Sequence, residues 1–126
     1  MLRPINPAGW PASPLLSQAI EVTGSERTLY ISGQVGIGPD GNIGSGIAEQ
    51  ARFAIANLNS VLAAAGMNSS HIVKMTIFLT DEALMGEFVE SAGPSLNNPP
   101  PATTLVFVKA LAAPAMLVEI EAIAAA

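Results

Sequence analysis

The chain has 126 residues with ten acidic and five basic side chains, a net charge of −5. Its cations (Arg3, Arg27, Arg52, Lys74 and Lys109) are scattered, so the clustered positive footprint that nucleic-acid binding requires is absent. No cysteine is present, which excludes disulfide and thiolate chemistry, and the length is that of a single domain over residues 1–126.

Residues 1–14 hold four prolines together with Gly9 and Trp10, and proline fixes φ and disfavours helix in the residue before it. An extended arm is expected there, with Trp10 packing onto the body of the protein. Ser17–Val22 and Thr28–Ser32 read as strands. Between them, Thr23-Gly24-Ser25-Glu26 has turn chemistry, which predicts that the two strands form an antiparallel hairpin. Gly33 follows directly, and glycine at a strand end marks a place where backbone approaches something closely. The loop from Gly36 to Asn42 contains Asp40-Gly41. It lacks the glycine spacing and the Lys-Ser/Thr of a phosphate loop, so it reads as a turn.

From Gly46 to Ala65 the pattern becomes helical. Ile47, Ala51, Ala54, Ile55, Leu58, Val61, Leu62 and Ala65 form one apolar stripe, with Ser45 placed to cap its start and Gly66 to end it. Ile72–Leu79 is rich in β-branched residues and reads as a strand. Asp81 is expected to cap a second helix carrying Leu84, Met85, Phe88 and Val89, which Pro94 terminates. After the Asn97–Pro101 linker, Thr103–Lys109 and Ala115–Ile123 are the last strands.

The order β-β-α-β-α-β-β predicts an α+β fold, a mixed sheet with two helices on one face. Two helices cover only one face of a small sheet, so the other must be buried against something else. Charged residues make up only 12% of the chain, against roughly 25% in an average soluble domain. Both observations point to contact between subunits. The N-terminus lacks the apolar core of a signal peptide. The most apolar stretch, Leu105 to Val118, is broken by Lys109 and Pro114 and is shorter than the ~20 residues of a spanning helix. A cytoplasmic protein without membrane association is expected.

Few residues offer chemistry. Glu119 and Glu121 are two apart on a strand and share a face, either as solvated carboxylates or as a pocket-mouth group able to activate water. His71 is the only histidine and follows a polar turn, so it reads as a solvated side chain. Metal-ligand spacing is absent, and Asp81 and Glu82 suit a helix start.

Taken in order, several segments are similar to one family. Leu29-Tyr30-Ile31-Ser32-Gly33-Gln34 looks like its strand ending in Ser-Gly-Gln. Glu49-Gln50-Ala51-Arg52 with Asn57-Leu58 matches its first helix, and Ala64-Ala65-Gly66 followed by Ile72 to Asp81 matches the next turn and strand. Pro100-Pro101-Ala102-Thr103-Thr104-Leu105-Val106 and Leu117–Ala124 match its closing signature. The chain resembles the RidA/YjgF family, small trimeric proteins that hydrolyse reactive enamines and imines.

The resemblance implies a chorismate-mutase-like fold and a homotrimer with three intersubunit clefts, each binding a small molecule without a cofactor. In imine-hydrolysing members an arginine clamps the substrate carboxylate, a backbone amide in the Ser-Gly region assists, and a glutamate positions water. A tyrosine and an asparagine also line the cleft. By position the glutamate is Glu119, the expected catalytic residue, and the Ser-Gly pair is Ser32 and Gly33. The arginine position holds Thr103, the tyrosine position Leu16 and the asparagine position Val89. With Leu105, these residues make up the implied substrate-binding set.

Losing a charge-assisted contact removes about 1.5–3 kcal/mol per hydrogen bond, so a carboxylate substrate is expected to bind weakly. Lys109 shares a strand face with Thr103, but six strand residues put it about 20 Å away. Lys74 and Arg52 reach the cleft only if a partner subunit brings them there. One reading is therefore an enamine or imine hydrolase with altered substrate scope. The other is a non-catalytic, metabolite-binding regulatory trimer. The acidic balance and single histidine argue against ribonuclease activity.

Overall fold

The structure is a computed structural model that describes residues 1–95 and 99–126, so Asn97 and Asn98 of the expected linker lie outside the described residues. Its centre is a four-stranded sheet built from β3 (Thr28–Val35), β4 (Ile72–Leu79), β5 (Ala102–Phe107) and β6 (Val118–Ala125). The strand order is β3-β6-β4-β5, with β6 antiparallel to both neighbours and β4 parallel to β5. Helices α1 (Gly46–Ala64) and α2 (Met85–Ala92) lie on one face. The α+β class, the mixed sheet and the one-sided helical layer are those the sequence predicts.

Alternation builds the sheet's two faces. On β6, Val118, Ile120, Ala122 and Ala124 are buried while Glu119, Glu121 and Ile123 point the other way. Met75, Ile77 and Leu79 of β4 and Ile31 of β3 join the buried set. The α1 stripe of Ile47, Ala51, Ala54, Leu58 and Leu62 packs on it with Phe88 and Ala92 of α2. The opposite face carries Tyr30, Lys74, Thr76, Phe78, Thr104 and Val106, and Tyr30 is 77% exposed.

Helix ends follow local chemistry. Ser45 occupies the N-cap of α1 without a side-chain cap bond; instead its backbone N–H donates to Glu49 Oε1 at 2.9 Å. Gly66, at φ +71°, turns the chain so that its N–H bonds Ala63 O and the Met67 N–H bonds Leu62 O, each at 2.9 Å. That is a Schellman ending, and the positive φ is why glycine belongs there. Arg27 adds a cation at this carbonyl-rich end, donating to Ala65 O at 2.9 Å. Asp81 caps a 3-10 turn, Glu82–Leu84, that leads into α2.

Three expectations are corrected. The proline-rich start is not simply an arm: β1 (Leu2–Ile5) is a strand. It pairs antiparallel with β2 (Ala19–Val22), with Arg3 opposite Glu21, in a separate two-stranded ribbon. The predicted hairpin between the second and third strands therefore does not form, because β3 pairs with β6 instead. Trp10 does not pack onto the body; it is 58% exposed. Among the described residues no helix is long and apolar enough to cross a membrane.

Candidate functional site

The sheet register sorts the expected site residues into two groups on opposite faces. On the open face, β3 departs from regular pairing between Ile31 and Gln34, which pair with Ala122 and Ile120. Ser32 and Gly33 together oppose the single residue Glu121, so they form a β-bulge, a device that re-aims groups beside active sites. A Cβ on Gly33 would overlap the Glu119 carboxylate, lying 2.6 Å from its Cδ. The missing side chain is what lets the carboxylate lie over the Gly33 backbone. Phe78, Val108, Leu111 and Glu121 complete this open hollow.

On the helix-covered face, a cavity of about 130 Å³ contains Leu16, Val89, Thr103 and Leu105. Thr103 pairs with Met75 and Leu105 with Ile77, both buried beneath the helices. Leu16 reaches them because Ser17 is fixed beside β5. The Ser17 N–H donates to Pro101 O at 3.1 Å, and its buried hydroxyl donates to Pro100 O at 2.5 Å. The Thr103 hydroxyl donates to Pro101 O at 3.1 Å. The structure thus brings Glu119, Ser32 and Gly33 together, and separately Leu16, Val89, Thr103 and Leu105. Within one chain it does not bring the two groups together.

Among the described residues no charged side chain lines the cavity. Lys74 lies on the other face, where its Nζ donates to Thr104 Oγ1 at 2.6 Å. β5 ends at Phe107, so Lys109 falls beyond the strand and lines a different hollow with Thr80 and Asp81. Arg52 is exposed on α1. No group of three metal-ligating side chains occurs among the described residues. His71 is a local structural element rather than a free side chain: its Nδ1 accepts from the Asn68 N–H at 3.0 Å. Asp40 forms the expected turn, and the backbone and side chain of Asn42 hold its carboxyl below the ordinary value.

Gln50 is the residue that sequence reasoning passed over. It is 1% exposed, donates to Gly44 O at 3.0 Å and Ala115 O at 2.9 Å, and accepts from the Leu117 N–H at 2.8 Å. It therefore fixes the chain entering β6, just ahead of Glu119. The signal was available: Gln50 sits on the apolar stripe of α1, where a polar side chain must find partners. Asn57 does similar work two turns further along the helix, donating to Val35 O at 3.1 Å and Ile37 O at 2.9 Å.

The chain is similar to known proteins in sequence and fold. Residues 11–126 match the family model described as Endoribonuclease L-PSP. A mouse protein named 2-iminobutanoate/2-iminopropanoate deaminase is 39% identical over 110 residues, spanning 86% of this chain and 78% of its own.

The chain belongs to the RidA/YjgF family.

A Rid-family protein of unknown function from Yersinia pestis, YyfB, superposes with a TM-score of 0.83 at 32% identity, covering 99% of this chain and 98% of that one. Escherichia coli TdcF with bound serine gives 0.74 at 30% identity, covering 87% of each chain. Imine deaminases are thus among this RidA/YjgF member's relatives.

Proposed function

We infer that this protein is a cofactor-free hydrolase of enamines or imines whose substrates lack a carboxylate. It works as a homotrimer with a cleft at each interface between protomers. Glu119, Ser32 and Gly33 of one protomer face Leu16, Val89, Thr103 and Leu105 of the next across each cleft. The observation that carries the reading is the Glu119 carboxylate seated over the Gly33 bulge. The mouse deaminase supports the reaction class.

In the reaction, Glu119 accepts a proton from water as the oxygen adds to the imine carbon. The adduct takes that proton on nitrogen to give a neutral carbinolamine; Glu119 then carries the hydroxyl proton to the nitrogen as the C–N bond breaks, and a carbonyl compound and ammonia leave. The Gly33 amide holds a polar substrate atom. The mouse relative's substrates are, by name, carboxylates. Here, among the described residues, no cation lines the cavity to receive one, which supports altered scope.

Ammonia release from a panel of imines generated in situ tests the reading. General acid–base groups contribute about 10²–10⁴-fold, and Glu119→Ala should lose that much while remaining folded. No activity above buffer, or full activity in the variant, would sink it. The uncharged cavity also favours a second reading, a metabolite-binding regulatory trimer without catalysis. A stabilising ligand in a thermal-shift screen, with no turnover of any imine, would select it.

A further inference from the structure

The cavity on the helix-covered face extends well beyond the four residues expected there. It runs inward between the sheet and both helices, reaching Ile55 and Leu58 of α1, Phe88 of α2, and Met75, Ile77 and Ile120 of the sheet. Protein interiors are normally packed to the density of organic crystals, so an apolar void in the main core of so small a domain calls for an occupant. Its volume of about 130 Å³ is close to that of an engineered cavity of about 150 Å³, lined by Leu, Ile and Phe, that stays dry and binds benzene.

Chemistry narrows the occupant further. Among the described residues no fully buried side-chain N or O atom lacks a hydrogen-bond partner. The Thr103 hydroxyl is engaged by Pro101 O. Of the other polar residues lining the cavity, Asn59 and Ser95 are exposed and belong to its rim, and the half-buried Ser69 already has a partner. A charged group moved here from water would lose its hydration without compensation.

We propose that this cavity is a specificity pocket for an uncharged aromatic ring or a branched aliphatic group of similar bulk. The inference rests on the proposed hydrolase only for its chemistry: the substrate is then an imine whose carbon carries such a group. The binding itself stands on the cavity.

The test uses the full chain with labelled methyl groups and two probes of one shape, toluene and benzoate. Toluene should shift the Met75, Ile55 and Ile77 methyl signals saturably and raise the melting temperature with concentration. Benzoate should bind at least about tenfold more weakly, because its charge would be desolvated unpaired. Ala92 lies on the cavity wall, and Ala92→Leu adds three carbons there, which should abolish the toluene shifts. Failure of toluene to saturate those methyls, or equal binding of benzoate, overturns the pocket. These wild-type measurements decide the matter even if Ala92→Leu does not fold. Turnover of small aliphatic imines with no toluene binding removes the pocket and leaves the hydrolase; toluene binding blocked by Ala92→Leu, with no imine turned over, does the reverse.

Discussion

Gly33 and Gly36 stand three residues apart at the end of β3, and at both a Cβ would collide with a neighbour. At Gly33 the obstacle is the end of the Glu119 side chain. At Gly36 it is the α1 helix itself, with Gln50 Cα at 2.6 Å and its Cβ at 2.5 Å. A carboxylate can swing aside by changing rotamer, whereas a helix backbone cannot move without carrying its whole packed face. The same absent methyl therefore makes room for a movable side chain at one position and for a fixed helix at the other. Close approach to glycine says that something is near; the rigidity of the neighbour says how much a substitution there should cost.

That contrast can be broken by substitution. Gly36→Ala should have the largest effect on stability, about 3 kcal/mol, at the upper end of overpacking costs because no soft neighbour can give. Urea denaturation would measure it, and a loss below about 1 kcal/mol would show that α1 moves more easily than its packing implies. Gln50→Leu comes next. It removes two donors and one acceptor from the buried knot and leaves Gly44 O, Ala115 O and Leu117 N–H without these partners. About 2–3 kcal/mol of destabilisation is expected, read in the same experiment.

Gly33→Ala should invert the pattern. Stability should change by under about 1 kcal/mol because only a side-chain tip is displaced. Imine hydrolysis should fall by about 10²-fold as the carboxylate leaves its seat. Unchanged hydrolysis would separate Glu119's position from its role.

The smallest effect concerns Asp40, on the exposed turn that follows. Asn42 lowers its pKa on folding, so its contribution to stability is present above the unfolded-state value of about 4 and disappears as pH falls through the folded value. Urea midpoints of the wild type and Asp40→Ala should differ by a constant amount above about pH 5 and converge below about pH 4. A gap that persists in acid would assign the effect to turn geometry alone.

Local patterns were legible in the sequence where a periodic stripe or a strong stop signal was present. The stripe from Ile47 to Leu62 and the Gly66 turn identify α1, and the β-branched run identifies β4. Non-local pairing was harder to read. Turn residues at Thr23–Glu26 suggested that the flanking strands meet, yet the Glu26 and Arg27 amides both donate to Ala126 O, which draws the start of β3 toward β6. Pro4 disguised β1, because proline reads as a strand breaker although an edge strand tolerates it.

The candidate site was legible in part for the same reason. Alternation places Thr103 with Leu105, and Glu119 with Glu121, from sequence alone. Whether those pairs share a face depends on the register of three strands. Met75 beside Thr103 and Phe78 beside Glu119 show that they do not. The bulge at Ser32–Gly33 likewise exists only relative to β6.

The strand order also bears on how the molecule is made. β6 lies between β3 and β4 in the sheet but follows every other strand in the chain. While the polypeptide is being synthesised, the edges of β3 and β4 that β6 will cover remain open templates. Such edges attract wrong partners. The β4–α2–β5 unit can assemble early from contacts close in sequence, whereas closing β3 onto β6 must bring together residues as far apart as Thr28 and Ala125. Completing the sheet therefore carries the larger loop-closure cost, and the same pairing brings Glu119 to Gly33.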